Sequence, residues 1–207
     1  MQAAKEEEIN LPSINYTVAA VQRKIFARSN IGLMMINKQG FRDSSNAYNR
    51  MVGMDYNLAS KNNRWNGKAF YHRSFTQDKK DSAYAATVAF TYSIPKIEID
   101  LTMQTVGANY DPQVGYAPRK RFNRISPELY YSWYPKSKLI NNHGPGFDLD
   151  FIGNDLYGMT DWDANIWYKI SFQNTANFFI RIRRDYVYLF APFDPSASGG
   201  LQLPDSH

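Results

Sequence analysis

No cysteine occurs in the 207-residue chain, so disulfides, thiolate metal sites and cysteine nucleophiles are excluded together. Histidine is nearly as scarce. His72 and His143 lack metal-ligand spacing and His207 is terminal, so no metal site and no cofactor are expected. The chain also has no run of about 20 apolar residues, and its mean hydropathy is -0.52, which excludes a membrane-spanning helix. A β-barrel escapes that test, because half of each strand is polar. The opening MQAAKEEEIN lacks a basic stretch followed by an apolar one, so it is no signal peptide; a piece of a longer exported precursor is expected. Gly144-Pro145-Gly146 and Gly199-Gly200 lack the Lys-Ser/Thr of a phosphate loop and read as turns. The net charge of +5 comes from scattered cations, denser only at Arg119-Lys120-Arg121 and Arg181 to Arg184. A nucleic-acid footprint would be a concentrated stripe, so no nucleic-acid partner is expected.

What the chain does have is aromatics, 15% of all residues, and alternation. From Thr160 to Phe172, Trp162, Ala164, Ile166, Tyr168, Ile170 and Phe172 oppose Asp161, Asp163, Asn165, Trp167, Lys169 and Ser171. Period two marks a β-strand, and aromatics at the ends of the apolar face suit a strand crossing a bilayer between two headgroup layers. Tyr84 to Tyr92 and Ile97 to Met103 repeat the pattern, with only Ile94-Pro95 between them for a hairpin. Weaker alternation covers Val52 to Leu58, Trp65 to His72, Glu128 to Trp133 and Phe147 to Phe151; Tyr16 to Lys24 and Asn30 to Lys38 form a first pair, and Phe178 to Phe190 a last strand. About ten strands result, several longer than the five or six residues usual in soluble sheets. Short and long connections mostly alternate, as at the two rims of a barrel. The Pro135 to Pro145 stretch is longer than its place predicts.

Several stretches resemble one bacterial family: VQRKIFARSNIGLMMINKQ (Val21 to Gln39), MDYNLASKNNRWNGKAFYHRSF (Met54 to Phe75), VGANYDPQVGYAPRKRFNRISPEL (Val106 to Leu129) and FQNTANFFIRIRRDYVYLFAPFDP (Phe172 to Pro195). They are similar to the C-terminal region of uncharacterised outer-membrane proteins that usually carry an N-terminal module like the family-nine carbohydrate-binding modules. The resemblance implies an outer-membrane β-barrel, with sugar binding assigned to the N-terminal module. That module is not in this sequence, so neither sugar-binding nor hydrolase residues are carried over.

Two features remain as candidate chemistry. Asp148 with Asp150, and Asp161 with Asp163, are i, i+2 pairs on strand faces, a spacing that could serve a glycosidase but also suits lumen-facing charges opposite Lys169, Arg181 or Arg183. The second reading is the expectation, and no catalytic residue is assigned. The long loop from Gly107 to Lys120 couples Asn109, Tyr110, Asp111, Tyr116 and Arg119 to Pro112, Gly115 and Pro118, and is the candidate ligand-binding element. The expected architecture is all-β: an antiparallel meander of about ten long strands forming a transmembrane β-barrel or a portion of a larger one. Residues 1–13 form a polar N-terminal segment, 14–190 the barrel strands, and 191–207 a Pro/Gly/Ser-rich tail. The expected function is that of a channel, transporter component or surface platform in the bacterial outer membrane, linked to glycan uptake. Outer-membrane lipid is its partner, with glycans or other outer-membrane proteins as further ones. The alternative is a soluble carbohydrate-binding or glycan-hydrolysing β-sandwich whose core is the same apolar faces.

Overall fold

The computed structural model describes residues 2–3, 13–41, 47–77 and 81–190. Alternating sequence becomes strand throughout: β1 (Gln2–Ala3), β2 (Ser13–Ile25), β3 (Ser29–Phe41), β4 (Tyr48–Ala59), β5 (Trp65–Thr76), β6 (Tyr84–Ile94), β7 (Ile97–Val106), β8 (Phe122–Tyr131), β9 (Ile140–Asn154), β10 (Gly158–Phe172) and β11 (Asn177–Val187). All lie in one sheet in chain order, each antiparallel to the next. The expected meander of ten long strands is therefore present, preceded by the two-residue β1. The sheet is not closed. Among the described residues β11 pairs only with β10, and β2 has only the short β1 beyond it, so both edges are open.

Some boundaries differ from expectation. Gln2 and Ala3 pair with Asn15 and Ile14, so the start of the polar segment is strand; residues 4–12 and the 191–207 tail lie outside the described residues. Strand β8 begins at Phe122, six residues before the predicted start, because Arg124 and Ser126 continue the polar face across Pro127. Gly144-Pro145-Gly146 is not a turn but the interior of β9. The glycines answer to close approach: a Cβ on Gly144 would overlap the Tyr131 carbonyl oxygen, and one on Gly146 would strike the Trp167 ring. The extra length near Pro135 is the connection 132–139, pinned by a bridge between Trp133 and His143. A three-residue turn, 155–157, joins β9 to β10 at the otherwise long-loop end.

Register sorts the side chains onto two faces. On one, Ala69, Val88, Met103, Ile125, Phe151 and Trp162 are successive cross-strand partners from β5 to β10, and Leu129, Phe147, Ile166 and Ile182 follow from β8 to β11. This apolar face is exposed: Met54 is 50%, Ile166 66% and Ile182 75% accessible. Its ends are aromatic. Tyr48, Phe75, Tyr84, Trp162 and Tyr186 stand towards the rim where loop 107–121 emerges, and Tyr56, Trp65, Tyr92, Tyr131 and Tyr168 towards the other. None of its strand positions is Asp, Glu or Lys. Among the described residues no helix is long and apolar enough to cross a membrane.

Candidate functional site

The six residues expected to face a lumen stand on one face of the sheet. Asp148 and Asp150 on β9, Asp161, Asp163 and Lys169 on β10 and Arg181 on β11 follow one cross-strand parity. Their partners are mostly not those expected. Asp150 takes two hydrogen bonds from Arg124, from Nε and Nη2 at 2.8 Å each. Asp161 receives Arg119 Nη2 at 2.7 Å, and Asp163 receives Arg183 Nε at 2.6 Å. Asn165, nearly fully buried, donates its amide both to Asp148, at 2.7 Å, and to Asp163. Lys169 and Arg181 form no ion pair among the described residues. Arg124 was the residue missed from sequence, because its strand was read as starting too late.

Beside them, and including Asp148, runs an acidic row without an ion pair among the described residues. Asp100, Glu128 and Asp148 are direct cross-strand partners on β7, β8 and β9. Like charges in that relation destabilise a sheet, and only hydroxyl and amide donors meet this row: Thr91 bonds Asp100 and Asn165 bonds Asp148.

The loop 107–121 folds back over this same face. Asp111 N–H donates to Ser74 Oγ at 3.0 Å, and Asn49 Nδ2 donates to the Asp111 carbonyl at 2.7 Å, which ties the loop to β5 and β4. Lys38 Nζ on β3 donates to Gln113 Oε1 at 3.0 Å. On the far side Arg119 Nη2 also donates to Thr160 Oγ1 at 2.9 Å, so the loop reaches from β3 to β10. Beneath it Tyr110 is buried with Met51, Ala85, Val106 and Phe122, and Met34, Ile36, Ala117 and Ile152 pack around them. Residues from six strands contribute to that cluster. The polar face thus carries a small apolar floor at its loop end, a feature not expected of a uniformly polar lumen. Burial pushes the Tyr110 phenol above its ordinary pKa.

Of the five loop residues singled out from sequence, four hold the loop in place. Asn109 Nδ2 donates to the Asp81 carbonyl at 2.9 Å, Tyr110 is buried, Asp111 anchors both neighbouring strands, and Arg119 is paired. Tyr116 differs. It is 87% exposed.

A family model described as a domain of unknown function (DUF5916) matches residues 1–200. No curated protein and no solved structure matches the chain.

Proposed function

The chain belongs to this family of domains of unknown function, and from that premise we propose that it is a portion of a bacterial outer-membrane β-barrel whose lumen is narrowed by loop 107–121. One observation carries the reading: every Asp, Glu and Lys on the strands β2 to β11 falls on a single face, while the other is apolar, exposed and aromatic at both ends. Strand length agrees. The ten long strands have 10 to 15 residues, and a tilted crossing of the hydrocarbon layer needs about nine to eleven. In water such a face would have to be covered by a second layer, as in the sandwich alternative; the described residues form one sheet without one. The two open edges suit a section of a wider barrel, continued by strands beyond those described.

On this reading the polar face lines the lumen, and the loop, tied from β3 to β10, sets its width beside the acidic row of Asp100, Glu128 and Asp148. The protein is then a channel or transporter component. The resemblance to barrels that follow a carbohydrate-binding module links it to glycan uptake. Because no native cysteine interferes, single spin labels test the topology in the membrane-inserted protein. Labels replacing Leu101 and Ile166 should be reached by oxygen dissolved in lipid, and those replacing Thr102 and Lys169 by an aqueous nickel chelate. If all four respond only to the chelate, the membrane assignment fails.

A further inference from the structure

Charge is divided unequally between the two ends of the strands. The five connections at the rim opposite loop 107–121 are residues 26–28, 60–64, 95–96, 132–139 and 173–176. They hold six cations, Arg28, Lys61, Arg64, Lys96, Lys136 and Lys138, and no Asp or Glu. All six are exposed, and none forms an ion pair among the described residues. Arg28 alone among them makes a side-chain hydrogen bond, to Asn63 Oδ1. Glu98, on the polar face of β7, lines a cleft with Arg64 but is not ion-paired to it. The rim of the long loop is balanced instead: Arg119 meets Asp161 at 2.7 Å, Lys120 meets Asp111 at 3.4 Å and Arg121 meets Asp155 at 4.0 Å. Like charges gathered along one edge repel one another unless something anionic lies against them.

We propose that the short-turn rim, opposite loop 107–121, binds the phosphate groups of anionic lipids in the leaflet on its own side. The proposal rests on the membrane-spanning reading and adds to it an orientation and a lipid preference. Two observations favour a lipid layer over a compact anion. The cations are spread over four turns, from β2–β3 to β8–β9, and the five strand spacings between β3 and β8 measure roughly 24 Å along the sheet. They also lie just past the aromatic end of the apolar face, at Trp65, Tyr92, Tyr131 and Tyr168, which is where headgroups meet a spanning strand. One place there is concave. Lys96, Trp133, Tyr134, Pro135, His143 and Tyr168 wall a cleft of about 480 Å³. His143 and Tyr168 belong to the apolar face, and the His143 ring lies 5.7 Å from Trp133 and 5.9 Å from Tyr168. An unpaired ammonium among aromatic walls suits an amphiphile whose phosphate meets Lys96 and whose apolar part meets the rings.

The test reconstitutes the intact protein in phosphatidylcholine vesicles and measures association of spin-labelled phosphatidylglycerol relative to spin-labelled phosphatidylcholine. The native protein should favour the anionic lipid in about 0.1 M salt and lose most of that preference in about 1 M, where the screening length falls from about 10 to about 3 Å. Lys61→Gln, Lys96→Gln, Lys136→Gln and Lys138→Gln together should also remove most of it. Lys169→Gln with Arg181→Gln, which takes two cations from the polar face, should leave it unchanged. A four-lysine variant that inserts yet keeps the full preference overturns the proposal, as does an equal loss from the polar-face pair. The native protein decides alone if that variant does not insert: indifference to lipid charge, or a preference undiminished in 1 M salt, overturns the proposal. Inorganic phosphate, compared with sodium sulfate at equal ionic strength, separates the sources: its selective abolition of the preference would mean a free-anion site and overturn the lipid assignment. Failure of the native protein to insert into phosphatidylcholine at all refutes the membrane reading instead.

Discussion

The Tyr110 hydroxyl lies 3.4 Å from the Met51 sulfur, so the phenol of the long loop is seated on the polar face of β4. A thioether is a weak acceptor, so the ring rather than the hydroxyl holds the loop. Tyr110→Ala should cost several kcal/mol locally, in the range of about 3–5 kcal/mol for removal of a buried aromatic, while Tyr110→Phe should cost under about 1.5 kcal/mol. Limited proteolysis reads the difference: the Ala variant should be cut within 107–121 much faster than the native chain, the Phe variant at nearly the native rate. On the proposed channel reading the Ala variant should also conduct more in a planar bilayer, because the loop would no longer narrow a lumen.

Alkali should release the same loop. Burial raises the Tyr110 pKa above its unfolded value of about 10, so the seated phenol contributes its stability in full below that value. The contribution is lost as pH rises through the folded pKa. Proteolysis within 107–121 should therefore accelerate above about pH 10, and Tyr110→Phe should delay that acceleration. Equal acceleration in both chains would place the alkaline weakness elsewhere.

How far the sequence foretold this arrangement depends on how local the signal was. Period two from Thr160 to Phe172 and from Tyr84 to Met103 assigns each side chain to a face, because any strand must alternate, and those strands matched. The direction of loop 107–121 was not legible, since its anchors Asn49, Ser74 and Thr160 lie about 40 to 60 positions away and carry no mark of the pairing. Asn109, Asp111 and Arg119 look the same in sequence whether they bind a ligand or a neighbouring strand. Gly144-Pro145-Gly146 misleads for a related reason: glycine serves tight turns and close approach alike, and only Tyr131 and Trp167 beside it tell which.

Arg124 and Asp150 should be coupled. Their two parallel hydrogen bonds of 2.8 Å link β8 to β9, but both side chains are about a third exposed, so screening limits the pair to about 1 kcal/mol. A double-mutant cycle with Arg124→Met and Asp150→Asn, followed by denaturant unfolding, should return a coupling of that size that shrinks at high salt. A coupling indistinguishable from zero at low salt would mean that water replaces either partner at no loss.

The two faces of β10 should respond oppositely to charge. Ile166→Arg places a guanidinium in the middle of the apolar face; if that face meets lipid, as proposed, the change should cost about 2–4 kcal/mol against insertion at the bilayer midplane. Lys169→Glu, three residues on and facing the other way, should leave insertion intact. Heat-modifiable migration and vesicle flotation report insertion. Similar losses from both substitutions would contradict the assignment of faces.

Gly144 should be the least replaceable glycine of β9, and the reason separates it from Gly115. At Gly144 an added Cβ meets the Tyr131 carbonyl oxygen and the Ser132 Cα, both backbone, where β8 turns away and Trp133 returns to pair with His143. Backbone cannot rotate aside as a side chain does, so Gly144→Ala must push the end of β8 off β9 or bend β9 itself. At Gly146 the obstacle is the Trp167 ring, which can swing at a smaller cost. At Gly115, on the exposed loop, the nearest atom is the Pro112 Cβ at 3.5 Å, an ordinary contact. The expected order of destabilisation is therefore Gly144→Ala, then Gly146→Ala, then Gly115→Ala near zero. Only Gly146→Ala should shift the Trp167 emission without a large fall in the unfolding midpoint. Were Gly144→Ala as harmless as Gly115→Ala, the passage of the Tyr131–Ser132 backbone over β9 would be wrong, and with it the register of the 132–139 connection.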